Sequence, residues 1–263
     1  MTSAALPALG TALLAFVSGK SRAYLLAHPE FALDSHQQAR YDALLARLHD
    51  GEPLAYLTGS AGFYRREFFV DPRVLIPRPE TEHLVEEAIA HLRAYDAPRA
   101  LDVGTGSGAI ACTIAAEVPG ARIDAVDLSP DALVVAKINA DRLGVGDRVA
   151  FSGGDLLEPV AGRRYDAIVA NLPYVPEGEG DAALRFEPAL ALYAGADGLG
   201  AYRRLFAAAP GALERGGLLL AEGAPPIAEG LLALARAAFP KAAVTLERDY
   251  GGRERWVKVM TPG

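Results

Sequence analysis

Two short segments carry residue types at spacings that suit chemistry. Asp102-Val103-Gly104-Thr105-Gly106-Ser107-Gly108 places three glycines at alternate positions behind an acid. Glycine takes positive φ without penalty and lets a backbone approach a ligand closely, so such a loop between a strand and a helix cradles a nucleotide-type cofactor. Asn171-Leu172-Pro173-Tyr174, which begins 63 residues after Gly108, offers a side-chain amide oxygen and a main-chain carbonyl held by a proline. These two acceptors can take both N–H bonds of a planar NH2 group, whose nitrogen lone pair is delocalised and therefore weakly nucleophilic. Holding that nitrogen in line with a methyl donor lowers the barrier by positioning, and acceptors accommodate positive charge developing on it. The two segments together imply methyl transfer from S-adenosyl-L-methionine to a conjugated nitrogen, with S-adenosyl-L-homocysteine as product.

The cofactor expectation rests on two details. An acid stands two residues before the first glycine, and the spacing is Gly-x-Gly-x-Gly rather than the Gly-x-Gly-x-x-Gly of dinucleotide sites. S-Adenosylmethionine has no pyrophosphate but carries a sulfonium and an ammonium, so a carboxylate such as Asp102 near it makes electrostatic sense. Asp127, with Leu128 after it, is expected to end the second strand and accept hydrogen bonds from the ribose hydroxyls. Asp155-Leu156 follows the third strand, where it can frame the adenine. Tyr174 can pack on the planar acceptor group, and Asn171 touches both cofactor and substrate. No general base is required, because the proton leaves after transfer. The five histidines, His28, His36, His49, His83 and His91, have no metal-like spacing, so no metal is expected.

Elements able to position these segments are legible around them. Residues 1–60 are expected to form a small helical domain, with Tyr41, Leu44, Leu45 and Leu48 on one apolar face after a cap at Ser35. Residues 62–76 mix aromatic and β-branched residues around Asp71-Pro72 and predict a hairpin, making 61–77 a linker. From residue 78 to 263, short apolar runs alternate with helical stretches. Strands are expected at 99–103, 122–127, 148–152, 165–170 and 217–222, with a helix opened by Ser129-Pro130. Two β-rich runs at 242–249 and 254–260, joined through Tyr250-Gly251-Gly252, predict a terminal antiparallel hairpin. The fold class is α/β: a Rossmann-like, mostly parallel sheet closed by that hairpin, similar to the class I S-adenosylmethionine-dependent methyltransferase fold, with the helical domain in front.

Composition bounds the setting. At 263 residues and 51% hydrophobic the chain can bury a full core. The net charge is −7, and the first 75 residues carry seven basic and seven acidic side chains, so the acid surplus lies wholly in the part with the motifs. That weighs against a direct nucleic-acid partner. The single cysteine, Cys112, fits a reducing, cytoplasmic compartment and reads as a core thiol. The apolar stretch from Leu6 to Val17 lacks a basic flank and is interrupted by Gly10-Thr11, so it reads as a core helix rather than a leader, and no membrane association is expected.

Beyond these elements the chain resembles a known family. Gly51-Glu-Pro-Leu-Ala-Tyr-Leu-Thr-Gly59, Leu75-Ile-Pro-Arg-Pro-Glu-Thr-Glu82, the glycine loop, Asn171 to Tyr174, Glu187-Pro-Ala-Leu-Ala-Leu192 and Asp249-Tyr-Gly-Gly-Arg-Glu-Arg255 are similar to the HemK/PrmC-type glutamine methyltransferases of peptide chain release factors. That resemblance implies methylation of the glutamine side-chain amide in a Gly-Gly-Gln motif, relevant to translation termination. It implies an N-terminal domain that contacts the release factor, and a substrate site that includes Arg78 and Glu187. Two positions depart from the family pattern: Leu172 replaces the first proline of Asn-Pro-Pro-Tyr, and Glu222-Gly-Ala-Pro225 replaces Glu-His-Gly or Glu-Ile-Gly.

Two other functions share part of this evidence. Asn-Leu-Pro-Tyr also resembles the motif of ribosomal RNA adenine dimethyltransferases, which present the same clamp to an adenine amino group. A reading of a different class is a non-catalytic S-adenosylmethionine-binding protein, an interaction partner of the translation apparatus.

Overall fold

A computed structural model describes residues 6–178 and 182–263. The chain divides into two compact units, Met1–Ser60 with Asp181–Phe186, and Ala61–Gly180 with Glu187–Gly263.

Among the described residues, the first unit contains the α-helices α1 (Leu6–Ser18), α2 (Arg22–Ala27), α3 (Ser35–His49) and α4 (Leu54–Thr58). Leu13 and Val17 of α1 close on Leu44 and Leu48 of α3 and Leu57 of α4, with Tyr41 and Leu45 packed at the margin. The cap of α3 is Asp34, not Ser35: its carboxylate accepts from the Gln37 amide at 2.8 Å while Gln37 Oε1 accepts from the Asp34 amide at 3.2 Å. This reciprocal capping box satisfies two amides that a serine one residue later would leave open.

A hairpin follows, β1 (Ser60–Phe63) and β2 (Arg66–Phe69). Its turn is Tyr64-Arg65, with φ of 47° and 61°, and not the Asp71-Pro72 expected from the sequence. Two non-glycine residues hold this left-handed geometry because their surroundings fasten it: the Tyr64 amide donates to Glu82 Oε1 at 3.0 Å, and Arg66 reaches the Tyr64 carbonyl at 3.0 Å and Glu117 at 2.7 Å. Asp71 instead binds the Arg73 guanidinium and amide, which starts the loop that follows.

After α5 (Thr81–Leu92) come β3 (Arg99–Val103), α6 (Ala109–Glu117), β4 (Arg122–Asp127), α7 (Pro130–Arg142), β5 (Val149–Gly153), β6 (Tyr165–Ala170), α8 (Gly200–Ala212), β7 (Leu213–Glu222), α9 (Pro225–Ala238), β8 (Ala243–Arg248) and β9 (Glu254–Met260). The seven-stranded sheet runs β5-β4-β3-β6-β7-β9-β8; β5 through β7 are parallel, and β9 is antiparallel to both β7 and β8. β7 starts at Leu213 rather than 217, and its pairing with β6 shifts register between Tyr165 and Ala167, beside Gly216 at φ 69° and Gly217.

Strand alternation splits the apolar residues between two faces. Ala100, Ala167, Val169, Leu218 and Leu220 pack under α5 and α6, whereas Leu101, Val103, Ile168, Ala170, Leu219 and Ala221 pack under α8 and α9. Chain direction across the sheet reverses between β3 and β6, where Val103 pairs with Ala170. Open α/β sheets leave a crevice at the carboxyl ends of such a strand pair, because their connections leave in opposite directions. Gly104 and Asn171 are the next residues of those two strands.

Candidate active site

A cavity of about 480 Å³ lies at that reversal, within the range of small-molecule sites. Among its lining residues are Gly104, Thr105, Gly106 and Ser107 from the β3–α6 loop, Asp127 and Leu128 after β4, Asp155 and Leu156 after β5, and Asn171, Leu172 and Pro173 after β6. Arg78 also reaches it. The topology thus brings together segments spread over nearly a hundred residues.

Four expected site residues stand behind the wall rather than on it. Asp102 is buried beneath the glycine loop, where Oδ2 accepts from the Thr105 hydroxyl at 2.7 Å and from the Ala111 amide at 3.1 Å. It braces the loop and the first turn of α6. Burial pushes its carboxyl up to about 7, and Oδ1 has no partner among the described residues. Gly108 is the left-handed N-cap of α6 and packs on Ala136 and Cys112. Glu187 takes the Ile76 amide at 3.1 Å and Arg78 Nη2 at 2.5 Å, which anchors the segment carrying Arg78. Tyr174 is flanked by the charges of Glu222, Arg255, Arg78 and Glu80, and burial pushes its hydroxyl up to about 12.

Asp127 is placed to bind hydroxyls. Its Oδ2 accepts from the Gly106 amide and its Oδ1 from the Ser129 amide, both at 2.8 Å. A carboxylate offers about four lone-pair sites, more than these amides occupy. Burial raises its pKa, opposed by these amides. Asp155 is paired with Arg204, and the neighbouring Leu156 sits at φ 49°, an uncommon value for leucine that turns the chain along the cavity wall.

The Asn171 segment is held from below. Asn171 Nδ2 donates to Thr81 Oγ1 at 3.2 Å, which leaves the amide oxygen without a claim from that hydroxyl. The Leu172 amide donates to the Tyr202 hydroxyl at 3.1 Å, and that hydroxyl, with one proton to give, lies within bonding distance of the main-chain carbonyls of Glu222 and of Leu172, the latter at 3.3 Å. Leu172 itself is buried against Gly104.

Several contributors were invisible to motif reading. Phe63, Ile110, Leu190 and Tyr193 supply apolar wall, and Thr81 supports Asn171. Asn139 accepts from the Phe69 amide at 2.7 Å and donates to the Phe69 and Ser107 carbonyls at 2.9 and 2.8 Å, so it ties the hairpin to the glycine loop. A polar asparagine amid the apolar positions of a helix is the one sequence signal that marks it.

Comparison with known proteins gives one consistent result. Residues 3–59 match the family described as the PrmC N-terminal domain, and residues 82–186 match the methyltransferase small domain. A structure of a T. thermophilus 16S rRNA methyltransferase in complex with AdoMet and guanosine superposes with a TM-score of 0.57 at 18% identity, over 77% of this chain and 49% of that one. A methyltransferase from Pyrococcus furiosus gives 0.54 at 18%, over 87% of this chain and all of that one, 100%. These likenesses establish the class I methyltransferase fold. The release factor glutamine methyltransferase of Bordetella pertussis is 45% identical over 255 residues, 95% of this chain and 93% of its own length. That of Escherichia coli K12 is 41% identical over 251 residues, 92% of this chain and 88% of its own. With its sheet, its two matched regions and this near full-length identity, the chain belongs to the release factor glutamine methyltransferase family.

Proposed function

We propose that this protein methylates the side-chain amide nitrogen of the glutamine in the Gly-Gly-Gln motif of peptide chain release factors, using S-adenosyl-L-methionine. The observation that carries the reading is the pairing of Val103 with Ala170, which sets the glycine loop and the Asn171 segment side by side at one cavity.

The residues present fit the cofactor. Gly104 lines the cavity at φ 75°, a turn an L-residue would strain to make, and the Asp127 carboxylate lines it too with acceptor capacity to spare. Thr105, Gly106, Ser107, Leu128, Asp155 and Leu156 complete the holding set. When bound, S-adenosylmethionine supplies an electrophilic methyl group on a sulfonium.

The chain's own part is orientation. A glutamine amide carries two N–H donors, and the Asn171 oxygen with the Leu172 carbonyl supplies the acceptors that would turn its nitrogen toward the methyl. Acceptors aimed at this nitrogen favour the positive charge that develops as the new bond forms, and the surplus proton leaves to solvent afterwards. Pro173 stiffens the segment, Tyr174 and Arg78 frame it, and Glu187 holds Arg78 in place. The helical unit of residues 1–60 contributes release-factor contacts, with 61–77 as linker.

The test is mass measurement of purified release factors, and of their Gly-Gly-Gln peptide, after incubation with the protein and S-adenosylmethionine. A gain of one methyl on that glutamine, lost in Asn171→Ala while cofactor binding persists, is the expected result. No gain with the cofactor bound, and transfer to ribosomal RNA instead, would replace this reading with the adenine one.

A further inference from the structure

Asn139, near the C-terminal end of α7, is fully buried and spends its whole side-chain amide on backbone groups. Its oxygen accepts from the Phe69 amide at 2.7 Å, and its nitrogen donates to the Phe69 carbonyl at 2.9 Å and to the Ser107 carbonyl at 2.8 Å. One N–H and two carbonyls around it admit a single orientation, because the NH2 group has two protons to give and the oxygen has none. The side chain is therefore a strut between the end of β2 and the glycine loop.

Both segments that it joins supply cavity wall. Ser107 lines the cavity, and so does Phe63 of β1, which meets Phe68 of β2 edge-on with ring centroids 6.0 Å apart. Arg142, three residues beyond Asn139, lies over the Phe69 ring at 5.0 Å and fastens the hairpin to the same helix. Phe69 itself is not a lining residue.

The loop needs anchoring because Gly104, Gly106 and Gly108 stand at φ 75°, 55° and 78°, a run whose backbone has much freedom to lose. Its first half is tied to β4: the Gly104 and Thr105 amides donate to the Val126 carbonyl at 2.8 and 3.0 Å, and the Gly106 amide donates to Asp127. Its second half rests on α7. A Cβ on Gly108 would lie 3.1 Å from that of Ala136, and Asn139 reaches the Ser107 carbonyl three residues further along the helix.

We propose that Asn139 is a positioning residue for the cofactor, holding the second half of the glycine loop in its binding conformation against the β1–β2 hairpin and so coupling hairpin and cofactor pocket. The inference needs the cofactor alone and not the release-factor reading. Without the strut, the Ser107 carbonyl and both Phe69 groups lose their partner in a buried place, and the loop leaves its binding conformation for most of the time. The cofactor then binds only the competent fraction, so Kd rises by the inverse of that fraction. Once the cofactor is bound the loop is in place, and transfer at saturation is unaffected. The coupling is reciprocal: bound cofactor steadies the loop and, through Asn139, the end of β2.

Calorimetric titration of the full chain with S-adenosylmethionine tests the positioning. Asn139→Leu, similar in shape and without hydrogen-bonding groups, should raise Kd about 10-fold. Leu232→Ala, a core truncation in α9, should lower the thermal midpoint but leave Kd unchanged. In transfer assays KM for the cofactor should follow Kd while kcat at saturation holds. An unchanged Kd in Asn139→Leu, or an equal rise in Leu232→Ala, overturns the proposal.

Hydrogen exchange tests the coupling. In the wild type, saturating cofactor should slow exchange of the Phe69 amide about 10-fold, and in Asn139→Leu it should not. A Phe69 amide that the cofactor leaves unchanged in the wild type, or slows equally in the variant, overturns the coupling. Should Asn139→Leu fail to fold, Asn139→Ala, with better helix propensity and less bulk, takes its place in both measurements.

Discussion

Gly104 and Leu172 are in direct contact across the two strands that define the site. A Cβ on Gly104 would stand 2.9 Å from Leu172 Cδ2 and 3.5 Å from the main-chain oxygen of Asn171. The first residue of the cofactor loop is thus the floor on which the Asn-Leu-Pro-Tyr segment rests. Leucine at 172, where the family pattern has proline, is accommodated because this floor has no side chain, and its amide is free to donate to Tyr202 as a proline nitrogen would not be.

Gly104→Ala should therefore harm both halves of the site. The position is at φ 75°, which costs an L-residue about 1–2 kcal/mol, and the added methyl must also displace Leu172. The expected outcome is a protein that folds with a lowered thermal midpoint and loses both cofactor affinity and methyl transfer. Calorimetric titration with S-adenosylmethionine checks it, and wild-type affinity would show that the loop yields freely.

Asp127→Ala tests the ribose side. Charge-assisted hydrogen bonds contribute about 1.5–3 kcal/mol, so cofactor Kd should rise roughly 10- to 100-fold. Asp127→Asn should lose less, because its remaining oxygen can still accept from Gly106 or Ser129, the two amides that Asp127 binds. Equal affinities for the two variants would mean that the carboxylate only shapes the loop.

The Arg78–Glu187 pair makes a stability prediction. The Glu187 side chain is 3% exposed, and once Arg78 is removed the Ile76 amide is its one remaining hydrogen-bond donor among the described residues. Arg78 is 34% exposed, so solvent can reach part of the charge left behind, and Arg78→Ala should cost about 1–3 kcal/mol in urea unfolding. Adding Glu187→Gln should recover part of that loss. A double variant no more stable than the single one would place the cost in lost packing instead.

Asp102 predicts a pH dependence whose sign is set by burial. Its carboxyl rises from an ordinary 3.8 to about 7 in the fold, so the folded state binds the proton more tightly than the unfolded state. The associated stabilisation is full below about pH 4 and disappears as pH rises through about 7. Asp102→Asn keeps an acceptor for Thr105 and Ala111 but cannot ionise. Measured thermal midpoints should favour the wild type more at about pH 5 than at about pH 8, by on the order of 5 °C. Glu222, also raised to about 7, is present in both proteins and cancels in the difference.

Much of this protein is determined by local rules that act within a few residues. The strands at 99–103, 122–127 and 165–170 and the Ser129-Pro130 start of α7 stand where the sequence places them. Buried parallel strands need continuous apolar runs, and a helix start needs a side-chain acceptor beside a residue of fixed φ. The glycine loop and the Asn171 segment were legible as motifs for the same reason, because the pattern of each lies within a few consecutive residues. What lay beyond the sequence was settled by contacts between distant residues. The hairpin turn went to Tyr64-Arg65 because Glu82 and Glu117 fasten it from α5 and α6. Asp102 lies beneath the loop rather than on the cavity wall because strand alternation turns it toward Thr105 and the Ala111 amide. The support of Asn171 by Thr81 spans 90 residues of chain, and that of the glycine loop by Asn139 spans 32. No periodicity encodes such pairs: they exist only once the sheet has set β3 beside β6 and laid α5 and α7 against it.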